Sequence, residues 1–411
     1  MTATALQQEE HLPEAIVCKW CGKSFHHLKS HISMGRCENL PEAAKGLDVD
    51  EVVKMYTTEF PDEPTISSTA LAKLKEKRAE LHTGDSKVAE ISAHPGYVGS
   101  VEYKTELVAA HELLGVTLKE LGTPRGKPLQ VTVNVNTPYP EFIPEVKKNY
   151  VYGDFDLIKD VFMMLEIGIP GYLWGHAGTG KSSLPTQLCA LLNRPLIRAQ
   201  HTASMEESHV TGQILARDGS TYFEPGLLAL AMKNGWVYLA DEYDFAFPQI
   251  LGVYQPVLEG EPLIVKEATP DWRRITPHKR FAFIGTGNTN GSGDETGLYQ
   301  GTNIQNAANF SRFGIVSNVK YMSPEAETNM LVQAGIIREY AEKIVKFANL
   351  VREGYEQHLI SQPIGPRELL LASKIGMMRG DFAAGIEKAF INKLPSTSAQ
   401  ASREVVQKIF G

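Results

Sequence analysis

The chain has 411 residues, with 41 Lys and Arg against 48 Asp and Glu, a formal net charge of −7, and 43% hydrophobic and 22% charged residues. That length leaves room for two or three domains and a large core, and the composition is that of a soluble globular protein. The net negative charge excludes wholesale coating of nucleic acid, and the lack of any run of 18 apolar residues excludes a membrane-spanning helix. The first 14 residues carry neither a basic n-region nor an apolar h-region, so a cytoplasmic protein is expected.

In chain order, the first informative stretch is Cys18-x2-Cys21-x9-His31-x5-Cys37. Two thiolates on a tight turn, then a histidine and a cysteine from a following helix and its end, predict a tetrahedral Zn²⁺ site. His26 or His27 could replace His31, at a spacing short for a finger. Phe25 and Leu28 fall where a small ββα finger needs core residues. Twenty residues cannot bury enough to fold alone, so metal should supply roughly 10 kcal/mol or more. Lys19, Lys23, Lys29 and Arg36, with no acid between Cys18 and Cys37, permit phosphate contacts, and protein docking is equally open. Cys189 stands apart and is expected to be a small buried apolar residue.

Cys18-Lys-Trp-Cys21-Gly-Lys, Phe25 and Leu28-Lys-Ser-His31-Ile resemble the Ros/MucR type of prokaryotic zinc finger. The resemblance spans about residues 15–65, including Tyr56 and Phe60, and it implies DNA as a partner. Cys37 departs from it, because a histidine is the usual last ligand.

Residues 66–130 are expected to be helical and linker-like. A short charged helix over 71–81, a linker at 83–87 and a Gly/Pro-rich turn over 122–128 can be read there. From 131 to 322 the pattern is an α/β core. An alternating stretch at 131–135 reads as a strand, and a helix is predicted over 155–167 after Tyr150-Val-Tyr-Gly-Asp154. Apolar strands at 171–174, 195–199, 236–240, 281–285 and 315–320, most of them separated by helices, give the rhythm of a parallel sheet. Ligand chemistry then belongs at the strands' carboxyl ends.

The first of those strands runs into G-x-x-x-x-G-K-S: Gly175, His176, Ala177, Gly178, Thr179, Gly180, Lys181 and Ser182, followed by Ser183. Glycines let backbone N–H groups cradle phosphate oxygens, Lys181 is expected on the β- and γ-phosphates of ATP, and Ser182 on Mg²⁺. The helix predicted over 182–192 aims its positive end at the same anion. Pro185 is tolerable there only in the first turn. The strand at 236–240 ends in Asp241-Glu242, where Asp241 would order Mg²⁺ directly or through water and Glu242 would polarise the attacking water. The strand at 281–285 leads to Asn288, which could hold that water. Arg312 follows among aromatic residues in Asn309-Phe-Ser-Arg312-Phe.

From 323 to 411 the chain reads as a helical lid, with Ser323 as an N-cap and helices beginning near 324 and 366 and over 382–394 and 401–410. Arg367, at a helix start, could reach the γ-phosphate.

Together, the loop, the Asp-Glu strand, the Asn-tipped strand, Ser-Arg-Phe and the Pro-Arg lid resemble an AAA+ ATPase. Asp241-Glu-Tyr-Asp244, Gln255-Pro-Val-Leu-Glu259, Gly285-Thr-Gly-Asn288 and the stretch from Gly293 to Thr302 narrow the resemblance, over about residues 131–350, to the CobS type in the MoxR group. The fold it implies is a P-loop α/β core with a parallel sheet, a C-terminal helical lid and the small N-terminal finger. It also implies hairpins near 209–228 and 261–280 that face a ring's pore, and Arg312 as a finger completing the neighbouring subunit's ATP site. A homo-oligomer follows, most simply a hexamer. Arg367 becomes the lid's sensor, in cis or in trans. A von Willebrand A-domain protein is the implied partner, and the chelatase role of that family is in doubt because of the finger.

Overall fold

A computed structural model describes residues 15–70 and 102–411, apart from residues 34, 35, 46, 62, 137, 138, 218 and 219. The helix expected over 71–81 and the linker at 83–87 lie outside the described residues. The chain separates into two compact units, Met1–Ile91 and Ser92–Gly411.

In the first unit, β1 (Ile16–Val17) pairs antiparallel with β2 (Ser24–Phe25), and the helix Leu28–Ser33 follows. Ile16, Phe25, Leu28 and Ile32 are buried, but so short a unit encloses little. A second helix, Val49–Glu59, adds Val52 and Tyr56 to the same core. Tyr56 is fully buried; its hydroxyl accepts the Lys19 N–H at 3.0 Å and its ring meets Trp20 edge-on at 4.8 Å.

In the second unit, β3 (Thr105–Ala109) pairs antiparallel with β4 (Gln130–Asn134). The strand expected at 131–135 is therefore present, paired outside the main sheet. The helix Phe155–Ile167, capped by Asp154, leads to β5 (Gly171–Trp174), and the helix Ser183–Leu191 leads to β6 (Leu196–Gln200). A hairpin of β7 (Gly212–Arg217) and β8 (Ser220–Pro225) precedes the helix Leu227–Asn234 and β9 (Val237–Asp241). A smaller hairpin, β10 (Leu263–Ile264) with β11 (Arg274–Ile275), precedes β12 (Ala282–Gly287). The helix Ala307–Phe310 comes before β13 (Ile315–Asn318).

The five long-range strands form one parallel sheet in the order β13-β5-β12-β9-β6. Successive residues on a strand face opposite sides, and here the two sides differ in kind. Tyr172, Tyr238 and Phe283 enter an aromatic-rich cluster with Trp236 and Phe313. Their neighbours Leu173, Leu239 and Ile284 enter an aliphatic cluster with Val161, Leu165 and Leu188. Burial on both faces explains the near-continuous apolar runs. Cys189 is fully buried in the aliphatic cluster.

Helices Pro324–Gln333, Arg338–Glu356, Pro366–Arg379, Phe382–Ala389 and Ser396–Phe410 pack around a third core. Ser323 Oγ accepts the Ala326 N–H at 3.3 Å and caps the first of them. The last helix begins five residues ahead of the expected 401. Inside this bundle, Arg352 forks onto the fully buried Glu327 at 2.7 and 2.8 Å. No helix among the described residues is long and apolar enough to cross a membrane.

Candidate functional site

After β5 the chain turns through Gly175, Gly178 and Gly180, whose φ values of +149°, +81° and +101° favour glycine. A Cβ on Gly175 would stand 2.4 Å from the Val319 carbonyl oxygen. The helix Ser183–Leu191 begins directly behind the loop. Pro185 is its third residue, so its missing N–H falls among those with no intrahelical partner. The Lys181 ammonium is buried and donates to Gly175 O at 2.7 Å, His176 O at 2.9 Å and Asn288 Oδ1 at 3.1 Å. Burial pulls its pKa down to about 8, against the upward pull of Asp244, Asp241 and Glu242.

Ser182 Oγ donates to Asp241 Oδ1, and Thr286 Oγ1 donates to the same oxygen at 2.5 Å. Arg198 Nε donates to Asp241 Oδ2 at 2.6 Å. Burial opposes charge on Asp241, yet donation from Ser182, Thr286 and Arg198 holds its carboxyl below the usual range. Glu242 behaves oppositely. Burial, then Asp241 and Asp244, push its carboxyl upward. Its backbone sits at φ +54°, in the left-handed region, a conformation that costs about 1 kcal/mol or more for a residue with a side chain. Its carboxylate accepts from Gln200 Nε2. Adjacent carboxyls with diverging affinities for a proton suit one for a cation and the other for a base.

The sequence-predicted residues Lys181, Ser182, Asp241 and Asn288 therefore meet at the ends of β5, β9 and β12, with Glu242 next in line. A hydroxyl and a carboxylate in direct contact are the hard oxygen donors that Mg²⁺ takes, so Ser182 and Asp241 fit that ion. Four neighbours of the site have no role assigned from the sequence: Arg198, Gln200, Thr286 and Asp244, the last two lying inside motifs that carry the family resemblance. For Arg198 and Gln200 the signal is their alternation with buried residues at the end of β6. Asp244 is fully buried and its Oδ2 accepts the N–H groups of Asn288 and Thr289 at 2.8 and 2.9 Å.

The loop's outer residues meet Tyr299 and Tyr321 of the core as well as the lid. His176 Nδ1 pairs with the Tyr299 hydroxyl at 2.8 Å, and the Ala177 N–H donates to the same hydroxyl at 3.1 Å. The His176 ring stacks on Tyr321 and meets Tyr355 edge-on at 5.6 Å. Thr179 Oγ1 donates back to His176 O at 2.9 Å. Ser183 Oγ lies 3.3 Å from the Tyr150 hydroxyl. Arg367 is exposed and stands beside the loop; a Cβ built on Gly178 would lie 3.7 Å from its Cβ. Arg312 lies apart from this group. It donates to Glu259 Oε1 at 2.8 Å and to Ala308 O, and not to the loop, Asp241, Glu242 or Asn288.

In the first unit, the ligand atoms of Cys18, Cys21, His31 and Cys37 all lie within 4.8 Å of one another. Cys18 and Cys37 sulfurs are 3.8 Å apart, and Cys21 Sγ is 3.3 Å from His31 Nε2. A tetrahedron with Zn–S bonds of about 2.3 Å has edges of about 3.8 Å, so the set fits a zinc ion. His26 instead pairs with Ser67 Oγ at 3.0 Å. Burial, with Cys18 next to it, pushes the Cys37 thiol up to about 12, a penalty on ionisation that a bound cation offsets. Of the basic residues around the finger, Lys19 is paired with Glu63 at 2.8 Å and Lys23 with Glu38.

The AAA domain family, dynein-related subfamily, matches residues 172–302. Among solved structures, the RuvB Holliday junction branch migration motor of Thermotoga maritima is similar at 13% identity and a TM-score of 0.38, covering 65% of this chain and 72% of that one. An uncharacterized protein of Staphylococcus aureus is 24% identical over 263 residues, 62% of this chain and 95% of that protein. The aerobic cobaltochelatase subunit CobS of a Sinorhizobium species is 31% identical over 249 residues, 58% of this chain and 74% of that subunit. Likeness on that scale, over a parallel sheet whose strand ends carry the phosphate-loop lysine and the acidic pair, makes this protein a member of the CobS/MoxR-like AAA+ ATPases, and it is an ATP hydrolase.

Proposed function

We propose that the protein is a ring-forming ATPase, most simply a hexamer, that couples hydrolysis to remodelling of a protein partner. The contact of Lys181 with Asn288, alongside that of Ser182 with Asp241, supports the ATPase part of this reading, because it draws three strand ends together beside the phosphate loop. Gly175 to Ser183 cradle the phosphates and Lys181 neutralises them. Bound Mg²⁺, held by Ser182 and Asp241, would supply charge neutralisation on the phosphate oxygens. Glu242 takes the proton of the attacking water, and Asn288 orients that water. Arg312, engaged with Glu259 outside its own chain's site, is offered to the neighbouring subunit. Arg367, beside the loop, senses the γ-phosphate in cis or in trans. A von Willebrand A-domain protein is the partner class that the family suggests.

In this reading the finger, with zinc, docks a client. Pairing of Lys19 and Lys23 with the module's own acids supports protein docking over DNA. A gel shift at low salt, abolished by Cys21→Ser, would reverse that preference. The central test is Glu242→Gln. It should lower kcat by about 10²–10⁴ while ATP still binds, and normal turnover in that variant would remove Glu242 as the base.

A second reading is the motor subunit of a cobaltochelatase-type complex. Likeness to the Sinorhizobium subunit favours it. Complementation of a strain lacking its chelatase ATPase would support this reading, and failure with a folded, ATP-hydrolysing protein would count against it.

A further inference from the structure

We infer that Arg198 is a positioning residue of the ATPase site, whose planar fork fixes the Asp241 carboxylate so that only Oδ1 faces the incoming cation. The inference rests on the assignment of Asp241 to Mg²⁺ proposed above. Arg198 lies on β6, opposite Leu239 of β9, and Gln200 lies opposite Asp241 itself. The Asp241 side chain is 3% exposed and that of Arg198 is 56% exposed, so the guanidinium reaches inward from the open side.

The donors divide cleanly between the two oxygens. Arg198 Nε, at 2.6 Å, and Nη2 both go to Oδ2. Ser182 Oγ and Thr286 Oγ1 both go to Oδ1. The carboxylate cannot turn without breaking bonds on both sides. The two kinds of donor also differ chemically. A hydroxyl has lone pairs and can exchange donation for ligation, whereas a guanidinium has no acceptor at all. A cation can therefore join Ser182 at Oδ1, and it cannot share Arg198's side. Because Arg198 holds the other oxygen, it need not leave when the cation arrives.

A lysine keeps the charge and loses the fork. The test uses the full chain in a Glu242→Gln background, so that nothing is hydrolysed, and follows binding of a fluorescent ATP analogue as Mg²⁺ is titrated. Arg198→Lys and Arg198→Gln should each raise the half-saturating Mg²⁺ about tenfold, as loss of a partner behind a metal ligand usually does. An unchanged midpoint in Arg198→Lys overturns the inference, since the fork would then be immaterial. A lowered midpoint in Arg198→Lys also overturns it, since Arg198 would then compete with the cation. Asp241→Asn separates the two levels. If Asp241→Asn shifts the midpoint and Arg198→Lys does not, this inference alone fails. If Asp241→Asn leaves Mg²⁺ dependence intact, the assignment of Asp241 falls and takes the inference with it.

Discussion

One carboxyl oxygen, Asp244 Oδ2, accepts the N–H of Asn288, the N–H of Thr289 and, at 3.0 Å, the Thr289 hydroxyl. Its partner oxygen, Oδ1, is buried with no hydrogen bond. The loop bearing Asn288 is thus fastened from beneath by a residue three positions after Asp241. Bonds to a charged acceptor contribute about 1.5–3 kcal/mol each and do not add fully. Asp244→Ala should therefore lower stability by about 3–5 kcal/mol and reduce kcat more than ATP affinity, as denaturant melts and steady-state kinetics would register. Burial raises the Asp244 carboxyl above its ordinary value, so the folded chain holds that proton more tightly than the unfolded one. Its contribution is greatest at low pH and declines as pH rises from about 4 through the raised value. Asp244→Asn can keep an acceptor at Oδ2 and should flatten that slope, which melts at several pH values would reveal.

At the scale of elements, the sequence was legible wherever a strand or helix declares itself locally. The five core strands lie within two residues of their expected ends, and the three central ones, β5, β9 and β12, are the plainest because both of their faces are buried and their runs are nearly all apolar. The same double burial hides the sheet order, since no alternation records which strand lies beside which. Arg198 meets Asp241, and Thr286 meets the same carboxylate, only through that order and register. β3 went unread because its residues are largely exposed and paired only with β4. The cysteine spacing, by contrast, named its cluster directly, and His31 rather than His26 completes it. Elemental analysis should find one zinc per chain in the native protein and none in Cys21→Ser. Loss of a contribution of about 10 kcal/mol should also erase hydrogen-exchange protection in the helices Leu28–Ser33 and Val49–Glu59. Protection in the parallel sheet should persist, and a metal-free first unit that stays folded would refute the site.

At the scale of the whole molecule, the proposed action of Arg312 on a neighbouring subunit would make activity a property of assemblies. Arg312→Ala should lower kcat by about 10³–10⁵ with ATP binding retained. Lys181→Ala should be inactive for the opposite reason, loss of the phosphate cradle. Mixing the two inactive proteins should restore part of the activity, because some interfaces then pair an intact loop with an intact Arg312. No recovery in mixtures that demonstrably co-assemble would confine Arg312 to its own chain. A different kind of reach follows from the seam of rings on the outside of the phosphate loop. Tyr355, against which His176 rests, lies near one end of the 19-residue helix Arg338–Glu356, a stiff rod about 28 Å long. Just before the far end stands Ile337, 69% exposed. If that helix moves as a unit, a displacement of Tyr355 at the phosphate loop also displaces the exposed Ile337 at its other end.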